Sequence, residues 1–384
     1  MPNQSTFFLA VLLVSFVVQV SYYHTISLAD DVKWVERVKN LSHDILQLPI
    51  HIDFKDNHDN FRYGGHPGTS ILLPAAIAFR LGAHPQYSLL ATIAFINALV
   101  IASIVLTCHT LRPYSSWWLI AGFIVTIHPL YFYGTPTNVV IGPTIALLFL
   151  LALLVYEKRS RPLSTRLAWF ISFIIGLGLS TRLPDTTFIA VPLIVFMSAY
   201  ISFQHLLLIV AASIFFAILF NPFFWFIPIE YIKTIILSTA SHIVDTGSPG
   251  FQLTPLWVLY YTPLTTISIF LAVLSFICNR KKIPVSAPFL LTLFLITAAT
   301  SSLFLSAKSQ TLRYLYPLIF TWDILLPLFL LRLSDQIHFP FITNVRYLTL
   351  ARQLTRLFIV SAIVFGFSFL AIYNLILPGF QGAI

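Results

Sequence analysis

Asn138-Val139-Val140-Ile141-Gly142-Pro143-Thr144-Ile145-Ala146-Leu147-Leu148-Phe149-Leu150-Leu151-Ala152-Leu153-Leu154-Val155-Tyr156 contains no charged side chain and stops at Glu157-Lys158-Arg159-Ser160-Arg161. About 20 apolar residues in a helix cross the hydrocarbon of a bilayer. The run therefore reads as a transmembrane helix, and the basic cluster as its cytoplasmic end. Runs of spanning or near-spanning length recur at about 6–26, 69–82, 86–107, 115–133, 166–181, 184–203, 205–227, 255–277, 286–306, 314–332 and 356–377. The chain is 58% hydrophobic and 9% charged, against roughly 25% charged in a soluble domain. Its mean hydropathy is +0.88. The fold class expected is an all-α polytopic membrane protein, because a β-barrel would show short alternating segments instead.

The net charge of +9 is no nucleic-acid signal, since the basic residues sit in short loops between apolar runs and act as topology determinants. Cys108 and Cys278 both lie in or beside apolar runs, which excludes a disulfide framework and a thiolate metal site. The first run, Phe7 to Val20, has no basic segment before it and no small-residue cleavage site after it. It reads as a retained signal-anchor helix.

Orientation follows from three basic connections: 157–165, 279–285 with Arg280-Lys281-Lys282, and 333–355. The positive-inside rule puts all three in the cytoplasm. The segments 27–68 and 228–254 then fall outside. Four apolar runs separate 68 from 157, yet the change of side requires an odd number of crossings. Residues 69–82 are too few to span, so this run is read as re-entrant. The expectation is one transmembrane domain over 1–384 with about eleven crossings, the N-terminus in the cytoplasm and the C-terminus outside.

The external segment 27–68 is a polar island in an oily chain. Residues 30–59 hold Asp30, Asp31, Glu36, Asp44, Asp53, Asp56 and Asp59, seven of the thirteen acidic residues. Within Leu28–Asn40, positions Asp30, Lys33, Trp34 and Arg37 recur at i, i+3, i+4 and i+7 and share one helical face. Val32 and Val35 lie off that face, as in an interfacial helix. Asp30 suits an N-cap. A carboxylate beside cations also suits catalysis, in which the cations hold a phosphate while the carboxylate accepts a hydroxyl proton. The island ends in Tyr63-Gly64-Gly65-His66-Pro67-Gly68, a turn at the membrane surface.

Further along, Thr311-Leu312-Arg313-Tyr314-Leu315-Tyr316-Pro317 opens an external span entry against the positive-inside trend, which suits an anionic partner. Asn221-Pro222-Phe223-Phe224-Trp225 leads into the second external loop, which carries Ser241-His242. Arg182 and Asp185 are expected to pair near the outer surface. Asp323 falls inside an apolar run, and intramembrane carboxylates mark function. The triplet Asn40-Leu41-Ser42 fits an N-glycosylation site but identifies no host.

Taken in order, these motifs resemble the GT-C glycosyltransferase superfamily, near the protein O-mannosyltransferases and bacterial aminoarabinose transferases (families 39 and 83). The resemblance rests on Asp30-Asp31 with Lys33 and Trp34, on His66-Pro67-Gly68, on Gly176-Leu177-Gly178-Leu179-Ser180-Thr181-Arg182, on Asn221-Pro222-Phe223, and on Arg313-Tyr314-Leu315-Tyr316-Pro317. It covers about residues 5–330. Asp31 replaces the commoner Glu, and Gly68 the second Pro. The resemblance implies a GT-C-like helical bundle whose external first loop carries amphipathic helices.

It also implies an inverting glycosyltransferase that moves a sugar from a dolichyl- or undecaprenyl-phosphate donor to a protein, lipid or glycan hydroxyl. Asp30 would be the catalytic base. Asp31, Lys33, His66, His242, Arg313 and Tyr314 would bind the donor phosphate and sugar. No cofactor is required; members that use Mg or Mn would take it on Asp30 and Asp31. The site would lie on the external or lumenal face of the plasma membrane in a prokaryote, or of the endoplasmic reticulum in a eukaryote. The alternatives are a polytopic transporter or lipid-linked-sugar flippase, for which Asp323 argues, and a membrane enzyme of another class.

Overall fold

The computed structural model describes residues 4–24, 31–44, 68–128, 131, 136–226, 228–229, 231–233, 263–278, 284–306, 315–336 and 345–376. Among them the chain is helical, with no strand. In chain order the helices are α1 (Gln4–His24), α2 (Asp31–Asp44), α3 (Thr69–Arg80), α4 (Pro85–Leu111), α5 (Trp117–Thr126), α6 (Pro136–Glu157) and α7 (Thr165–Thr181). They continue with α8 (Leu183–Ser198), α9 (Phe203–Leu219), α10 (Pro222–Phe226), α11 (Pro263–Cys278), α12 (Ala287–Ser306), α13 (Tyr316–Gln336) and α14 (Val345–Ile376).

Helix α6 is the mast of the bundle. Every residue from Pro136 to Val155 is buried, so no side of the helix meets solvent, and α4, α7, α8, α12 and α13 surround it. A helix apolar on all faces has no stable place except an interior. Among the described residues, α4 and α6 are long and apolar enough to cross a membrane. The outer helices turn apolar side chains outward. On α9, Phe203, Leu207, Val210, Ile214 and Ile218 recur every three to four residues and are all exposed, an apolar stripe that suits lipid rather than water.

Two sets of contacts define the ends of the bundle. At one end Arg112, just past α4, donates to Glu157 at 3.1 Å and to the Pro284 carbonyl at 3.0 Å. This joins the ends of α4 and α6 to Pro284, just before α12, so Glu157 and Pro284 share one end. At the opposite end, α6 starts beside the end of α7. There Arg182 donates to Asn138.

Helix α3 occupies only that second end. Its first residues bond the end of α7: Thr69 Oγ1 donates to the Ser180 carbonyl at 2.9 Å, and Ser70 Oγ meets Thr181 Oγ1. Four residues after its last turn, α4 sets out toward Glu157. With twelve residues, α3 is about 18 Å long, and α2 packs along its flank.

Helix α2 is amphipathic, with a stripe that faces protein. Trp34, Val38 and Leu41, at i, i+4 and i+7, are buried in the main core, while Glu36, Lys39 and His43 are exposed. The sequence pattern groups Trp34 with the charged face. Instead the indole is buried, and the Arg37 guanidinium lies 4.5 Å above the ring, a cation–π contact.

Glycines allow the closest helix approaches. A Cβ on Gly176 of α7 would lie 3.0 Å from the Ala217 amide nitrogen of α9 and closer still to Phe216, so α9 could not stay where it is. Gly176→Ala is expected to lower the stability of the detergent-purified protein by about 1–3 kcal/mol, the usual cost of overpacking. An unchanged thermal midpoint would show that this contact gives way freely.

Candidate functional site

At the end of the bundle where α6 begins, several motifs far apart in sequence come together. Gly68 has a φ of +53°, a conformation that a residue bearing a Cβ adopts at a cost. A Cβ there would also lie 2.6 Å from Thr137 Cγ2 and 3.1 Å from the Trp34 ring. Gly68 is thus pressed between α2 and the first turn of α6.

The Gly-rich end of α7 completes this corner. Arg182 joins α7 to α8 in an extended conformation, and its N–H closes α7 on the Gly178 carbonyl at 2.8 Å. Its side chain turns inward and is 3% exposed. Nη1 donates to Asn138 Oδ1, and Nε pairs with Asp185, whose side chain is 22% exposed. Beside them, Thr186 donates its backbone N–H to the Arg182 carbonyl at 3.2 Å, and its side chain packs where a Gly178 Cβ would stand. A guanidinium in this setting is held by its carboxylate and amide partners, because an unmatched buried charge is costly.

A second polar cluster lies deeper. Asp323 of α13 accepts a 2.7 Å hydrogen bond from Thr265 of α11 on Oδ1, while His128 Nε2 lies 3.1 Å from Oδ2. Both side chains are almost wholly buried. The Phe320 ring stacks on the imidazole at a centroid distance of 3.9 Å, and Gly142 of α6 makes room for that ring. Nearby Pro327 supplies no N–H to α13, and side chains reach carbonyls of the same turns. Trp117 Nε1 donates to Ile324 O at 2.7 Å and Ser268 Oγ to Trp322 O at 2.6 Å, as expected where a proline loosens a helix within a bundle. Asn138 and Gly142 stand one turn apart on α6, so the two clusters share one helix face.

Asp31 and Lys33 stand in the first turn of α2, three residues or fewer from Trp34. Asp30, His66, His242, Arg313 and Tyr314 lie outside the described residues. Asn221 and Phe223 take structural places: Asn221 Oδ1 accepts the Phe223 N–H at 3.1 Å, and the buried Phe223 ring stacks on Tyr231. Burial pushes the Tyr231 phenol up, against a smaller opposing effect of its hydrogen bond to Asn221. Among the described residues, no group of three His, Cys, Asp or Glu side chains is disposed to hold a metal ion.

Pattern reading does not single out Asn138, Thr186, His128 or Thr265. Asn138 is the polar residue that starts the mast run, and His128 precedes Pro129, which disfavours continuation of α5. Either signal could have flagged them. Thr265 gives none. No protein-family model matches the chain, and no curated protein matches it.

Removing one member of the deep cluster takes from the other a buried partner across the bundle. Asp323→Leu and His128→Leu are each expected to lower stability by about 3–5 kcal/mol, with the double variant much less damaged than the sum. A fully additive double variant in thermal unfolding would show that the two side chains do not act as a pair.

Proposed function

We propose that the chain is a multi-pass inverting glycosyltransferase that uses a polyprenyl-phosphate sugar at the external or lumenal face of its membrane. The observation that carries this reading is that Trp34, Gly68 and Arg182 come to one end of the bundle, Gly68 between Trp34 and Thr137 and Arg182 on the adjacent Asn138. Three of the motifs in the GT-C resemblance supply those residues, and a chance series of weak motifs has no reason to converge. The basic connection that starts at Glu157 lies at the opposite end, beside Pro284, as expected if that end is cytoplasmic. About eleven crossings, with α3 re-entrant, accommodate both ends.

In the proposed reaction Asp30 takes the proton of an acceptor hydroxyl as its oxygen attacks the anomeric carbon. The new C–O bond forms opposite the departing phosphate oxygen, so the configuration inverts. The electron pair of the broken glycosidic bond leaves on the polyprenyl phosphate. Lys33, Arg313 and His66 stabilise the negative charge that builds there, the contribution that is usually largest in such sites. Asp31, His242 and Tyr314 orient the two substrates. Asp30→Asn should reduce sugar transfer about 10²–10⁴-fold, the usual worth of a general base, with membrane level and thermal midpoint unchanged. Near-normal transfer by that variant would remove Asp30 from the role of base.

The His128–Asp323 pair favours a second reading, a proton-linked carrier or flippase for a lipid-linked sugar, since intramembrane acid–base pairs mark such pathways. In proteoliposomes that reading requires proton-driven movement of the lipid-linked sugar, lost in Asp323→Asn. Transfer chemistry without any such movement excludes it.

A further inference from the structure

Two buried polar atoms at the α6 entrance, Asn138 Nδ2 and Thr186 Oγ1, have no hydrogen-bond partner among the described residues. Asn138 is fully buried and Thr186 is 1% exposed. Leaving such a group unmatched costs about 1–3 kcal/mol, and buried polar groups in folded proteins nearly always have partners. Both residues belong to the Arg182 cluster. The same Asn138 amide holds Arg182 through Oδ1, and Thr186 follows directly on Asp185, the carboxylate paired with that guanidinium.

We propose that Asn138 Nδ2 and Thr186 Oγ1 form a hydroxyl-recognising subsite, and that its ligand is the sugar ring of the lipid-linked donor. This assignment rests on the glycosyltransferase reading above. The chemistry selects a hydroxyl over the donor phosphate. Arg182 already carries the Asp185 carboxylate, and a phosphate placed here would meet Asp185 as a like charge. An amide N–H donates, whereas a threonine hydroxyl both donates and accepts. A sugar hydroxyl can accept from the first and exchange a hydrogen bond with the second. Asp185, the partly exposed member, stands at the open edge of the cluster and can accept from a neighbouring hydroxyl. Selectivity of this kind is strong, because a ligand lacking the hydroxyl leaves the buried groups unmatched again. A single buried water is the competing occupant, since it would satisfy the same two atoms.

The test is equilibrium binding to the full-length protein in lipid nanodiscs, comparing polyprenyl-phosphate hexoses and pentoses with sugar-free polyprenyl phosphate. Wild type is set beside Thr186→Val, which removes only the hydroxyl, and Asn138→Asp, which keeps an acceptor for Arg182 and removes the amide donor. Wild type is expected to bind at least one glycosylated lipid more tightly than the sugar-free lipid. Each variant should narrow that preference about 2–10-fold, the worth of one hydrogen bond, without weakening sugar-free binding.

Thr186→Val should also leave the thermal midpoint of the unliganded protein undiminished. Variants that keep the wild-type preference overturn the subsite while leaving the glycosyltransferase reading in place. Loss of unliganded stability in Thr186→Val with an unchanged preference identifies the occupant as water and likewise overturns it. A wild type that binds neither class of lipid overturns both readings together.

Discussion

The architecture depends on one constraint: α6 has no face that can be left uncovered. Its residues from Pro136 to Val155 are buried on all sides, so its neighbours must close around it completely. That closure sets where the other helices begin and end. It also makes small residues decisive at the contacts. Gly142 seats Phe320, and Gly178 seats Thr186. In a bilayer, lipid tails offer little hydrophobic drive for helix association, so fit of this kind and interhelical hydrogen bonds carry the packing.

Polar residues in such an interior persist only in sets that satisfy one another. The pair at His128 and Asp323, completed by Thr265, is one such set; Arg182 with Asn138 and Asp185 is another. Both are anchored on the first turns of α6, directly or through Phe320. The mast therefore ties the polar interior to the end of the bundle where the acidic-loop helix docks. The Asn138 amide nitrogen and the Thr186 hydroxyl are the polar atoms this arrangement leaves without a partner among the described residues.

Much of this was legible in the sequence, for reasons that differ by element. Hydropathy found the helices because burial in lipid or in a lipid-solvated core demands long uncharged runs. It misplaced the end of α5, read as far as 133 where the helix stops at Thr126, because apolar content continues past a backbone change imposed before Pro129. It also missed the start of α14. Arg346, Arg352 and Arg356 lower the local hydropathy, yet the helix is continuous from Val345, since charges at a helix end can reach the interface. The motif order was visible, and so was the pairing of Arg182 with Asp185, which lie one helical turn apart. The partners of Asp323 were not, because His128 and Thr265 are distant in sequence and meet only through packing.

The functional account stands on the α6 entrance as the place where a lipid-linked sugar is held. Photo-crosslinking tests that most directly. A polyprenyl-phosphate sugar with a photoreactive group on the sugar is bound to the intact protein, irradiated, and its attachment points mapped by peptide mass spectrometry. The account predicts label on residues 27–44 and on the α7–α8 junction around Arg182–Thr186. Label confined to the opposite end, around Glu157 and Pro284, would contradict it.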